Sequence, residues 1–310
     1  MRSTPLLILA YNRPDKMRDL IDSLRPLAPG KLMIAVDGPK PGRADDAERV
    51  AAVHREIEKI GWTDDVSTRL RETNLGLRAA VADAVSWAVD EHGQAVIIED
   101  DVLPGAHFLP YAEHMLDAFR DDTSVEHVSG YNVVPPQRLR TSAAGSRLSI
   151  YPESFAWATW ARAWEGYDPT LEWARNASVA DLAAITGSRT AGLRWKQIFA
   201  DAAAERISTW AYRWIASMWS RGAMTIAPNS NLVTYAGYDE GTHSVQDAPW
   251  QELPLFDGST TDLLGSAVDT DREADAWVGR TVFGESPIGI AKGLAVSTVL
   301  EARKHWRRRR

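Results

Sequence analysis

Val96-Ile97-Ile98-Glu99-Asp100-Asp101 is the stretch on which the fold turns. Ala95–Ile98 is an unbroken apolar run, the pattern of a strand covered on both faces, as in a parallel sheet. It runs directly into three adjacent acids. Such a junction places carboxylates at a strand's carboxyl end, the edge where open α/β sheets bind ligands. Three neighbouring carboxylates repel, and a cation or convergent donors must offset that repulsion. Hard oxygen ligands suit Mg²⁺ or Mn²⁺, which commonly bridge a protein acid to a diphosphate. An acidic surface turn with no partner is the plainer alternative.

Outward from this strand the same grammar repeats. Leu6–Ala10 is a short apolar run followed by Asn12-Arg13-Pro14, with a helical pattern over 15–24. Leu32–Val36 is a second run, closed by the turn signal Asp37-Gly38-Pro39. Residues 45–60 read as an amphipathic helix, 67–71 as a weak strand, 77–90 as a helix with Val81, Ala84, Val85 and Ala88 on one face, and 107–119 as another helix. This βαβ rhythm predicts an α/β fold with a largely parallel sheet and helices on both sides. The second half is different, with eight of the thirteen tryptophans lying between Trp157 and Trp219. Helices are expected at 178–185, 190–204 and 211–221 and a strand at 231–235. From 246 onward the pattern weakens, so 246–310 reads as an appendage.

Composition narrows the function classes. Hydrophobic residues at 45% supply ample core, and the lack of cysteine excludes disulfides and thiolate metal sites, in keeping with a cytoplasmic setting. No run approaches the roughly 20 apolar residues of a membrane helix. The net charge is −7, but residues 303–310 (RKHWRRRR) hold six of the 35 Lys and Arg. Without them 29 basic residues face 42 acidic ones, a balance of −13. An acidic body argues against nucleic acid as a partner. The basic tail follows the apolar stretch 288–300, a pairing suited to peripheral contact with anionic lipid at the inner membrane face.

The strand ends supply the candidate site. Asp37 ends the second strand and Asn12-Arg13 follows the first, so in a parallel sheet they converge on the edge that carries Glu99, Asp100 and Asp101. Arg suits phosphate and Asp suits a base or ribose; together they describe a nucleotide pocket. Neither a Rossmann dinucleotide fingerprint nor a P-loop lysine motif is present, which disfavours NAD enzymes and ATPases.

The order of segments resembles GT-A glycosyltransferases, in particular the N-acetylglucosaminyltransferase I type and bacterial sugar-transferase relatives. The stretches that carry the resemblance are Ile8–Pro14, Ala35–Gly38, Asn74–Leu77, Val96–Asp101 with Pro104 and Phe108, and Val128–Asn132. Phe155–Trp160, Trp210–Trp214 and Gly241–Ser244 follow. The match spans about residues 5–245, a donor-nucleotide half at 1–132 and an acceptor half at 133–245.

The resemblance implies a metal-dependent, inverting transfer of a sugar from a UDP-sugar, or another nucleotide-sugar, to a hydroxyl on a carbohydrate or glycoconjugate. Arg13 and Asp37 would contact uridine with Tyr11 beside the base, and Asn12, Gly38 and Asn74 would complete the donor pocket. Asp101 would ligate the metal, while Glu99 and Asp100 would hold sugar and ribose hydroxyls. His243 and Ser244 would close on the diphosphate, His243 with a second claim as metal ligand. Trp157, Trp160 and Trp210 would wall the acceptor side. One departure stands out: relatives carry the catalytic base, an Asp, where this chain has Ala211. Asp239, Glu240 and Glu153 are the other carboxylates that could serve. The rival reading is a non-catalytic nucleotide-sugar or glycan-binding homologue, and a nucleotidyltransferase would need a Gly-rich basic loop near the first strand that is not seen.

Overall fold

The computed structural model describes residues 4–142, 144–207, 209–237, 248–265 and 268–308, with the backbone alone for 299–308. The first half alternates as the sequence reading expects. β1 (Leu6–Ala10), α1 (Pro14–Leu24), β2 (Leu32–Val36), α2 (Ala44–Ile57), β3 (Val66–Leu70), α3 (Leu77–His92) and β4 (Gln94–Glu99) follow one another. β1 and β2 are apolar throughout and almost wholly buried, as a strand covered on both faces must be. Pro14 opens α1, where its missing N–H costs nothing. α3 ends at Gly93 with φ +81°, whose N–H closes on the Val89 carbonyl at 2.7 Å; the left-handed turn sends the chain straight into β4.

The second half contributes more strands than its pattern shows. β5 (Val102–Pro104), α4 (Phe108–Ala118), β6 (Val125–Ser129), β7 (Ser146–Ser149), β8 (Ala156–Trp160) and α5 (Ala161–Trp164) come first. α6 (Glu172–Asn176), α7 (Val179–Thr186), α8 (Arg189–Ala203), α9 (Ala211–Ser220), β9 (Met224–Pro228) and β10 (Val233–Tyr235) follow. α10 (Thr260–Leu264), β11 (Val268–Thr270), α11 (Arg272–Thr281) and α12 (Pro287–Arg308) complete the order. The main sheet has nine strands in the order β11-β7-β9-β6-β8-β4-β1-β2-β3, and β10 pairs with β5 in a separate ribbon. Five of the eight neighbouring pairs are parallel and three antiparallel. The molecule is thus α/β with a large mixed, mostly parallel sheet flanked by helices.

Two readings need correction. Residues from 248 on do not stand apart as an appendage: β11 extends the main sheet alongside β7, and Asp275 of α11 accepts the buried Ser149 hydroxyl at 2.5 Å. A short strand with one apolar residue is silent in the sequence and forms only because an edge is there to pair with. The tryptophans form a core, not a wall. Trp157 is 0% exposed, stacked on His127 at 5.0 Å and on Trp210 at 5.3 Å. Trp160 and Trp210 are each 3% exposed, and Trp160 donates its indole N–H to the Leu116 carbonyl at 3.0 Å. All five residues of β8 are buried, so both of its faces are covered and its large side chains pack inside the protein.

Among the described residues no helix is long and apolar enough to cross a membrane. α12 exposes Ile288, Leu294 and Val296, but the side chains of its basic end lie outside the described residues.

Candidate functional site

A cleft of about 280 Å³ opens where β1, β2 and β4 end. It is lined by apolar residues, Leu9, Ala35, Val36, Ala80 and Val81 among them, and by the polar Tyr11, Arg13, Asp37, Lys40, Arg71, Asn74, Glu99 and Asp100. The shared direction of the three strands gathers these residues: Leu9 of β1 sits in register with Ala35 of β2 and with Glu99 of β4. Three cations, Arg13, Lys40 and Arg71, meet there above an otherwise acidic chain. An apolar lining with convergent polar groups is the usual form of a small-molecule site.

Arg13 is the hinge of the charge arrangement. Its guanidinium bridges two consecutive acids, Nη2 to Asp100 Oδ1 at 3.0 Å and Nη1 to Asp101 Oδ2 at 2.5 Å. Even so, burial lifts the Asp100 carboxyl to about 7, Arg13 opposing and Asp101 adding to the rise. Burial, with Asp101 and Asp100 beside it, lifts Glu99 to about 8. One arginine therefore does not balance three acids. Asp101 carries the clearest mark of a further partner. It is 3% exposed, its carbonyl is fixed by the Ala236 N–H at 2.8 Å, and its Oδ1 is buried with no hydrogen-bond partner among the described residues.

A divalent cation fits this donor set. An unspent buried carboxylate oxygen beside two acids matches hard Mg²⁺ or Mn²⁺ chemistry. Among the described residues no group of three His, Cys, Asp or Glu side chains is arranged to hold an ion. The protein would then supply only one or two oxygens, and a ligand's phosphates and water the rest, which is how Mg²⁺ is usually held. His243 and Ser244, expected to close on the diphosphate, lie outside the described residues.

Asp37 is used differently from the expectation. Its two oxygens accept four hydrogen bonds: from Gly38 N at 2.9 Å, Leu75 N at 2.8 Å, Asn74 Nδ2 at 2.8 Å and Gly76 N at 3.0 Å. That fills a carboxylate's acceptor positions. Asp37 therefore ties the 74–76 loop onto the end of β2, shaping the cleft wall instead of presenting a free carboxylate to a base. Asn74 is part of the same tie and also donates to the Gly38 carbonyl at 2.9 Å. Gly38 has no alternative, because a β carbon there would collide with the Thr73 backbone. Replacing Asp37 with Ala should cost about 1.5–3 kcal/mol of stability, the scale for hydrogen bonds to a charged group. Urea unfolding would measure it, and a change within experimental error for both Asp37→Ala and Asp37→Asn would show the tie to be idle.

Tyr11 and Asn12 are likewise committed inside the protein. The Tyr11 hydroxyl donates to Asp46 Oδ2, and Asn12 Nδ2 to Asp46 Oδ1 at 2.5 Å; the Lys40 N–H adds a third bond at 2.7 Å. Asp46, on α2, thus anchors the β1–α1 loop and went unnoticed in the sequence as one acid of an ordinary amphipathic helix. Lys40 lies 5.5 Å from the Tyr11 ring centroid, and Arg71 pairs with Asp83. Both cations line the cleft, and neither was singled out from the sequence. Lys40 follows the Asp37-Gly38-Pro39 turn, the one signal that could have found it. Ala211 opens α9, its N–H on Thr209 Oγ1 at 3.2 Å, and offers only a methyl group where a base is expected. Compared with known proteins, the chain matches no family model and no curated protein.

Proposed function

We propose that this chain is a GT-A glycosyltransferase that binds a nucleotide-sugar, UDP-sugars foremost, through Mg²⁺ or Mn²⁺ and transfers the sugar with inversion to a carbohydrate hydroxyl. One observation carries the reading: Asp101 Oδ1 is buried and has no hydrogen-bond partner among the described residues, while the other oxygen of the same carboxylate pairs with Arg13, which lines a cleft together with Lys40 and Arg71. A carboxylate with an oxygen to spare, joined through Arg13 to a cleft that also holds Lys40 and Arg71, suits a metal–diphosphate site. The apolar part of the lining suits a flat base, with Tyr11 in the same cleft. A cytoplasmic setting belongs to the same proposal.

In this reading Asp101 would hold the metal, which when bound would supply Lewis-acid stabilisation of the leaving diphosphate. Arg13 sits within reach of the same oxygens, its charge shared between Asp100, Asp101 and the ligand. Lys40 and Arg71 add positive charge where negative charge develops as the sugar departs. Glu99 and Asp100, whose carboxyls burial raises to about 8 and about 7, would hydrogen-bond ribose or sugar hydroxyls.

Ala211 favours a second reading. With no carboxylate at that position, the chain could hold a nucleotide-sugar without transferring it. Both readings require metal-dependent nucleotide binding, which a thermal-shift series tests directly. UDP with Mn²⁺ should raise the melting temperature, UDP with EDTA should do so far less, and ADP should lag behind UDP. A chain whose melting point none of these moves is neither enzyme nor binder of this kind.

A further inference from the structure

Glu153 precedes β8 by three residues, and Ala156 at the start of β8 lies opposite Ile98 at the end of β4. Because β8 is antiparallel to β4, the chain at Glu153 enters at the sheet edge where Glu99, Asp100 and Asp101 emerge. Its backbone is held firmly there. The Glu153 N–H donates to Ser129 Oγ at 3.1 Å, and the Glu153 carbonyl accepts from His127 Nε2 at 3.2 Å. The Trp214 indole N–H donates to His127 Nδ1 at 3.1 Å, which fixes the ring as the neutral tautomer that can make this contact.

The side chain is held far less completely. Oε1 of Glu153 is shielded from solvent without a hydrogen-bond partner among the described residues, while the residue as a whole keeps part of its surface open. Arg147, within electrostatic range, is the cation a structural ion pair would use. Its guanidinium is spent elsewhere, on the Pro228 carbonyl, Asn229 Oδ1 and Asn132 Oδ1 at 2.8–3.1 Å, and its Nε is itself unpartnered. The half-buried acid and the buried base interact electrostatically, yet each keeps one shielded polar atom without a partner among the described residues. Such orphaned groups require an explanation in a folded protein, and an absent ligand is one of the few available. The Glu153 charge also reaches Tyr212, the neighbour of Ala211 on α9.

We propose that Glu153 is the proton acceptor for the incoming hydroxyl, the catalytic carboxylate that Ala211 does not provide; this rests on the glycosyltransferase reading. The acceptor oxygen forms a bond to the anomeric carbon while the bond from that carbon to the β-phosphate oxygen breaks. The electron pair of the broken bond leaves with the nucleoside diphosphate. The hydroxyl proton passes to Glu153, which returns it to water before the next turnover. A general base works best with a pKa near the working pH, and burial lifts the Glu153 carboxyl to about 7 with Arg147 opposing. The groups facing it are Arg147 from β7, Tyr212 from α9 and His127 from β6, which burial drives to about 3 and so keeps neutral.

The test uses UDP-glucose, UDP-galactose and UDP-N-acetylglucosamine with Mn²⁺, water standing for the acceptor hydroxyl, and measures UDP release beside UDP binding by calorimetry. Glu153→Gln should lower release by about 10²–10⁴-fold with unchanged UDP affinity. In the unmodified chain release should rise with pH through about 7 as the carboxyl loses its proton, and the Gln variant should lack that rise. Glu153→Asp, which keeps the charge should Gln disturb folding, should retain the pH rise at a reduced rate. Equal release by Glu153→Gln, or UDP binding with no release by the unmodified chain, overturns the assignment and leaves the donor-site reading standing. Absence of metal-dependent UDP binding in the unmodified chain overturns both.

Discussion

Asp101→Asn should remove the Mn²⁺-dependent part of UDP binding while the protein stays folded. The substitution keeps the shape of the side chain and the Arg13 contact can persist through the amide oxygen, so the fold loses little. What disappears is the negative charge on an oxygen already buried and without a partner among the described residues. An amide is a poor ligand for a hard dication, and the diphosphate would then face the cleft without its bridge. Leaving one member of a buried charge pair without its partner costs about 3–5 kcal/mol, or roughly a hundredfold or more in affinity. Calorimetry of UDP with Mn²⁺ and with EDTA would show it: the variant's two isotherms should coincide near the unmodified chain's EDTA value. UDP binding in Mn²⁺ that Asp101→Asn leaves unchanged would place the metal elsewhere or nowhere. Asp100→Asn gives the informative contrast, since Asp100 has Arg13 and the Tyr11 N–H as partners and no orphaned oxygen.

Trp157→Ala is expected to be the most destabilising single change among the tryptophans, at about 3–5 kcal/mol for truncating a buried indole. Trp157 has no exposed surface and stacks on His127 and Trp210, with Trp164 and Trp214 also within 6.3 Å. Its loss opens a void at the centre of the sheet, where β8 is clamped between β4 and β6 and cannot collapse inward. Chemical denaturation should show a lower midpoint with an unchanged slope. A sugar platform would behave in the opposite way, with stability kept and acceptor binding lost. Near-native stability for Trp157→Ala would mean the ring is not part of the core.

The two halves of the chain differ in how much of this their sequence discloses. β1, β2 and β4 were legible because each is a continuous apolar run ending at an acid or a turn, and such a run has few other ways to satisfy both its faces. Their convergence followed, since parallel strands share a carboxyl edge, and with it the placement of Arg13, Asp37 and Glu99–Asp101. β6 (Val-Glu-His-Val-Ser) and β7 (Ser-Arg-Leu-Ser) were not legible. Their polar residues are buried by partners far away in sequence: Glu126 accepts from Arg221 Nε at 2.7 Å, His127 from Trp214, and Ser146 meets the Tyr111 hydroxyl at 3.0 Å. No local pattern records a partner scores of residues distant.

The same limit governs the site. The sequence by itself determined that Arg13, Asp37 and Glu99–Asp101 share the carboxyl edge of the parallel strands, because strand polarity and turn chemistry are local properties. Tertiary structure alone decided which of them still have capacity to spare. It saturated Asp37 with four donors, bound Tyr11 and Asn12 to Asp46, and buried the tryptophans. It also left one oxygen each on Asp101 and Glu153 without a partner among the described residues. A carboxylate's chemistry depends on how many of its lone pairs are already used, and that is settled by neighbours brought together only when the chain folds.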